Sequence, residues 1–303
     1  MGKEQELLVE VSTSLMNYFS AATFYTAFWP VSRQLEKARQ AGYSGLEWHP
    51  TRLGSLQVKL GVLKERDKDY IQCGHQGFGA GFSDIFTRSK SAFFFFQFCL
   101  LPQSIDSLAD LRDLQKVIGR DLPVVLYPSG DLKKDSVSQK LFAEKTFQPS
   151  PELMSAWGIR TIDELEEAMA VLGYEGFCLD THHFRDNSEE GLNPWSKTIE
   201  RLLRNTREIH ISVGRIDAPK PGVDTLEELK DLLSGSGESQ VSKILTAIKD
   251  LGWQGRVVTE IPTTALLTVR QQDLGYQESF LRPNDLVSDH QRIVASISKL
   301  LSS

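Results

Sequence analysis

The 303-residue chain is predicted to fold as one α/β domain, a closed (β/α)8 barrel that takes in residues 1–303. Three observations carry this prediction. Short β-branched or apolar runs alternate with amphipathic segments of helical period, as in parallel strands joined by crossover helices. Ala41-Gly42-Tyr43, Leu172-Gly173-Tyr174 and Leu251-Gly252-Trp253 each set a glycine and an aromatic between a helical segment and the next strand. A glycine there takes the left-handed conformation that stops a helix, and three uses of one device imply a repeated unit. Five of the six histidines lie at or near the C-terminal ends of strand candidates, the rim on which such barrels assemble their sites.

The strand candidates are 7–12, 45–49, 70–74, 123–127, 141–146, 176–180, 208–212 and 256–261. Helical periodicity places helices at 32–40, 56–66, 105–118, 161–172, 196–205, 239–251 and 289–301. Thr161 and Ser104 each precede an acid-bearing first turn, so a hydroxyl can cap the helix while the acids suit its dipole. The stretch 217–239, with Pro219, Pro221 and Gly222, reads as a long βα loop holding a single helical turn over the barrel mouth.

Composition excludes several classes. The chain is 40% hydrophobic and 24% charged, with a formal net charge of -6 and no basic run, which argues against a nucleic-acid partner held by phosphate contacts. Cys73, Cys99 and Cys178 are odd in number and lack CxxC spacing, so neither a disulfide framework nor a zinc knuckle is expected and a cytoplasmic setting fits. The first residues show no apolar signal core, and Glu6 stands where a myristoylation site wants Ser or Thr. The greasiest segment, 92–101, includes Phe93, Phe94, Phe95 and Phe96 but has about half the ~20 residues a membrane span needs. It is read as buried packing, or alternatively as the contact of a homo-oligomer.

If the barrel closes, polar groups at strand ends meet at one mouth. Strand two offers Glu47 and His49, strand three His75, strand five Glu144, strand six Asp180 with His182 and His183, strand seven His210 and strand eight Glu260. Glu144, Asp180, His210 and Glu260 would form a site of three carboxylates and one imidazole. That set suits one divalent ion, Mn²⁺, Mg²⁺, Co²⁺ or Zn²⁺, with positions left for substrate oxygens. Metal-held sugar oxygens acidify the neighbouring C–H, and a flanking carboxylate can then move the proton.

Weaker features have plain readings. His49 and His75 are either substrate contacts or hydrogen-bonded structural residues, and Glu47 is either a substrate contact or the partner of a neighbouring base. His183 is taken as the inward member of its pair because neighbours alternate on an extended segment. The glycines at 74, 77, 79 and 81 follow no nucleotide motif and suggest a lid, and the acidic run 163–167 is a solvated helix face.

Asp180-x-x-His183 after Gly176-Phe177-Cys178-Leu179, the early Ala41-Gly42-Tyr43-Ser44-Gly45-Leu46-Glu47, and Val257-Val258-Thr259-Glu260 resemble the xylose isomerase-like barrels. That superfamily of sugar phosphate isomerases and epimerases also includes hydroxypyruvate isomerase, inosose dehydratase and the AP endonucleases of family 2, endonuclease IV among them. The likeness spans nearly the whole chain. It implies Glu144, Asp180, His210 and Glu260 as metal ligands, Glu144 and Glu260 as the proton-shuttling pair, and His183 and Arg215 as substrate contacts. Strand four ends Leu126-Tyr127-Pro128 without the extra histidine of the endonuclease's three-metal cluster.

Three functions remain open on this reading: a metal-dependent isomerase or epimerase of a small sugar, polyol or hydroxy-carbonyl compound; a lyase, dehydratase or hydrolase on the same site; and a non-catalytic barrel that binds through the Phe93 to Phe96 cluster.

Overall fold

The computed structural model describes residues 9–14, 31–48, 52–75, 107–126, 147–151, 162–173, 175–181, 195–213, 225–261, 263–278 and 281–302. Its strands are β1 (Val9–Ser14), β2 (Gly45–Trp48), β3 (Ile71–His75), β4 (Leu122–Leu126), β5 (Phe147–Pro151), β6 (Phe177–Asp180), β7 (Thr206–Ile211) and β8 (Gly255–Thr259). The helices are α1 (Val31–Gln40), α2 (Arg52–Lys59), α3 (Glu65–Lys68), α4 (Ser107–Ile118), α5 (Ile162–Leu172), α6 (Trp195–Asn205), α7 (Thr225–Ser234), α8 (Gln240–Asp250), α9 (Thr263–Leu274) and α10 (Pro283–Ser302).

All paired strands run parallel, in the order β5-β4-β3-β2-β1-β8-β7-β6. This is the cyclic order of an eight-stranded barrel, with β1 laid along β8. The two ends of the series, β5 and β6, are in contact, although no ladder joins them among the described residues.

Two layers of different chemistry follow from strand alternation. Leu179, Ile209, Ile211 and Val257 belong to one apolar cluster with Leu229, Leu232, Ile244, Ile248, Ile293 and Ile297 of the helices. Full burial of each such side chain contributes roughly 1.5–3 kcal/mol. The intervening positions Cys178, Asp180, Glu208 and His210 are also buried but lie outside that cluster, on the barrel's inner side. At Gly74 the outer face of β3 is so close to α4 that a Cβ would sit 2.5 Å from Leu111 Cδ2.

The repeated helix stop is present: Gly42, Gly173 and Gly252 have φ of 92°, 70° and 61°. The aromatics that follow two of them are bonded. Trp253 Nε1 donates to Thr206 O at 2.9 Å. Thr259 Oγ1 donates to Tyr43 Oη at 2.8 Å, and Tyr43 Oη lies 2.7 Å from Nδ1 of buried His290 on α10. Burial pushes the His290 pKa down to about 4, so the imidazole is neutral and accepts from the tyrosine.

Several elements depart from expectation. The strand paired with β4 is Phe147–Pro151, and the stretch 141–146 expected as strand five, with Glu144, lies outside the described residues. The helix expected at 56–66 is split into α2 and α3 by a turn in which Gly61 has φ of 70°. The loop expected to hold one helical turn contains the ten-residue α7, whose Leu229, Leu232 and Leu233 are buried. Asp231 then fastens the turn after α7 by accepting from Glu238 N, Ser239 N and Ser242 Oγ at 3.0, 3.1 and 2.6 Å. Helix α9 was not expected, because its apolar residues do not keep to one face. Among the described residues no helix is long and apolar enough to cross a membrane.

Candidate metal centre

The register Asp180↔His210↔Val258 sets the ends of β6, β7 and β8 side by side. Asp180 is the last residue of β6, His210 the fifth of the six residues of β7, and Glu260 directly follows β8, tied by its N–H to Ile211 O at 2.9 Å. Ser212 extends the inward alternation of Glu208 and His210 by one step. Its hydroxyl donates to Asp180 Oδ2 at 2.5 Å and lies 3.2 Å from Glu260 Oε2. His210 Nδ1 is 3.6 Å from Glu260 Oε1. Asp180 and His210 are fully buried, whereas the Glu260 side chain is 19% exposed and forms the open side of the group.

The other ring nitrogen faces a second, deeper set. His210 Nε2 is 3.1 Å from Glu208 Oε1 and 3.2 Å from Glu47 Oε2. The Cys73 thiol lies between the same oxygens, at 3.7 Å from Glu47 Oε2 and 3.6 Å from Glu208 Oε1. Arg256 Nη1 donates to Glu208 Oε2 at 2.7 Å. Burial opposes charge on His210, but Cys178, Glu47 and Glu260 around it together raise its pKa well above the usual value. Burial pushes the Cys73 thiol up, and Glu208 and Glu47 add to this, so it is a neutral hydrogen-bond donor.

Two carboxylates, Asp180 and Glu260, meet on one hydroxyl at the ends of adjacent strands. Glu47, His210 and Glu260 offer ligand atoms all within 4.8 Å of one another, a set of two carboxylates and one imidazole that could hold a divalent ion. An outer cleft of about 510 Å³ bounded by Glu227, Asp231, Arg270, Asp273 and Asp289 lies in the helical layer, away from these strand ends. Its charges are paired with each other, as in Arg270 with Asp289 at 2.6 Å and Lys230 with Glu227 at 2.7 Å.

Of the residues singled out from sequence, the structure brings Asp180, His210 and Glu260 together. Glu47 is fully buried with Oε2 3.2 Å from His210 Nε2, in keeping with its alternative reading as the partner of a neighbouring base. His75 ends β3, with its Cα paired to Val125. His49, Glu144, His182, His183, Arg215 and the Phe93 to Phe96 cluster lie outside the described residues. Sequence reasoning missed Cys73, Glu208, Ser212 and Arg256. For Glu208 and Ser212 the available signal was the two-residue spacing of polar groups in Glu208-x-His210-x-Ser212.

No family model and no curated protein matches the chain. Solved structures do. A D-allulose 3-epimerase from Methylomonas sp., solved with D-allulose, is similar over 95% of this chain and 96% of its own at 14% identity, with a TM-score of 0.55. The probable 3-DHS dehydratase AsbF of Bacillus anthracis is 10% identical over 94% of this chain and 98% of its own, TM-score 0.54. The IOLI protein, solved with a zinc atom, is 13% identical over 97% and 100%, TM-score 0.53. The chain therefore shares the fold of these structures.

Proposed function

We propose that the protein is a divalent-metal-dependent isomerase or epimerase of a small sugar, polyol or hydroxy-carbonyl compound. The observation that carries this reading is the meeting of Asp180 and Glu260 on Ser212, with His210 Nδ1 3.6 Å from Glu260, at three adjacent strand ends. The likeness to a sugar epimerase and to a zinc-holding barrel supports it.

Asp180, His210 and Glu260 would hold the ion, which when bound polarises a substrate carbonyl and lowers the pKa of the neighbouring C–H. Glu260, on the open side of the group, is the base that takes this proton. Buried Asp180 keeps its carboxylate oriented through Ser212. A second acid is needed to return a proton to the opposite face. Glu144 is the candidate that the resemblance implies, and Glu152, the next residue after Pro151 in the sequence, is the alternative; both lie outside the described residues.

The dehydratase reading keeps one specific support: β5 itself, Phe-Gln-Pro-Ser-Pro, carries no carboxylate. An elimination needs only one base. Glu260 would take the proton beside the carbonyl and return it to the departing β-hydroxyl, so that the β C–O bond breaks and water leaves.

Metal analysis and isotope exchange test the proposal. Purified protein is expected to carry a stoichiometric divalent ion that the Asp180→Asn, His210→Asn double variant lacks. With ketoses in D₂O, the parent should incorporate deuterium next to the carbonyl. Glu260→Gln should abolish this, with Glu152→Gln and Glu144→Gln deciding between the two acids. Exchange that persists in Glu260→Gln would remove Glu260 as the base.

A further inference from the structure

The deeper carboxylates of the barrel have no part in the chemistry above, yet both touch a residue that does. Glu208 Oε1 and Glu47 Oε2 approach one atom, His210 Nε2, at 3.1 and 3.2 Å, while Nδ1 of the same ring faces Glu260. Glu208 is itself fixed, because its other oxygen accepts from Arg256 Nη1 at 2.7 Å. The Cys73 thiol spans the two acceptor oxygens from below. All four side chains sit inside the barrel, with Glu47, Cys73 and His210 fully buried and Glu208 3% exposed.

An imidazole has two nitrogens, and a ligand nitrogen must present its lone pair. Two carboxylates can only accept, so a ring nitrogen placed between them must carry a hydrogen. We propose that Glu47 and Glu208 are positioning residues that keep the proton of His210 on Nε2 and thereby present Nδ1 toward Glu260. This rests on the reading of the upper group as a metal centre. Arg256 acts one step further back, since it stops the Glu208 carboxylate from turning away from the ring. Such outer partners of a ligating histidine typically change metal affinity or activity by about 10–100-fold when removed.

At position 208 the guanidinium claims whatever oxygen the side chain has, so Glu208→Gln turns its amide nitrogen toward His210 Nε2 and puts donor against donor. Coupling Glu208→Gln to Arg256→Leu, which frees the amide to rotate, should restore part of the loss.

Two readouts test this on full-length protein. The first is a ¹H–¹⁵N spectrum of metal-free, ¹⁵N-histidine-labelled protein. A slowly exchanging Nε2–H, shifted downfield by its carboxylate acceptors, is expected in the parent, and its loss or marked upfield shift in Glu208→Gln. The second is zinc affinity by chelator competition, which should fall by about 10-fold or more in Glu208→Gln. An unchanged Nε2–H signal with unchanged zinc affinity in the Glu47→Gln, Glu208→Gln double variant would overturn the proposal. A parent that binds no zinc would instead defeat the metal-centre reading, and the Nε2–H signal would still decide what holds the ring.

Discussion

The outer and inner sides of the same three strands solve opposite problems. Outside, Leu179, Ile209, Ile211 and Val257 meet helices through apolar contact that is non-directional and tolerant of small shifts. Inside, Asp180, Glu208, His210, Ser212 and Arg256 meet through hydrogen bonds of 2.5–3.2 Å that fail if one partner is withdrawn. Residues one step apart on β7 thus serve stability on one face and chemistry on the other. The difference teaches that burial alone does not identify a core: Ile209 and His210 are both at 0% exposure, for unrelated reasons.

The contrast can be broken most severely from within. Arg256→Leu strands the Glu208 carboxylate and should destabilise the fold by about 3–5 kcal/mol in urea unfolding, whereas Arg256→Leu with Glu208→Leu should cost much less. If the double variant were as damaged as the single, the pair would not be the reason. From the outer side, Ile209→Ala removes well-packed methyl groups and should cost about 2–4 kcal/mol, independent of salt and pH.

Acid titration separates the two regions at a third point. Folded His290 has a pKa of about 4 against about 6.5 in an unfolded chain. Below pH 6.5 the unfolded chain gains a proton that the folded one refuses, so stability is full above that pH and declines as pH falls toward 4, by roughly 3 kcal/mol. His290→Gln, which can still accept from Tyr43, should remove this slope from unfolding curves taken between pH 4 and 7. The smallest effect is expected at Ser239, which caps α8 by accepting from Ser242 N at 3.1 Å. Ser239→Ala should lower the melting temperature by an amount equivalent to about 1 kcal/mol.

Much of this was readable in the sequence, for identifiable reasons. β2, β6 and β8 are apolar runs bounded by turn residues, and the helix-stopping glycines marked where three strands begin. β5 was not readable: Phe147-Gln148-Pro149-Ser150-Pro151 contains two prolines and no β-branched residue, so the more strand-like 141–146 drew the assignment. At the site, Asp180, His210 and Glu260 were legible because they close apolar runs. The supporting acids were hidden, since Glu47 reads as a rim residue and Glu208 as a strand's first polar position. What places both beneath the imidazole is the pairing of β7 with β6 and β8 and of β2 with β3, and pairing is a property of the folded sheet.

The aromatic that follows each helix-stopping glycine has one further consequence. Trp253 grips Thr206 across 47 residues of chain, whereas Tyr43 grips Thr259 across 216. For a flexible chain, closing the longer loop costs about 1 kcal/mol more in entropy. The same short word in the sequence is therefore a local fastener where it precedes β8 and the keystone of the ring where it precedes β2, joining the first turns of the chain to its last strand and, through His290, to its final helix.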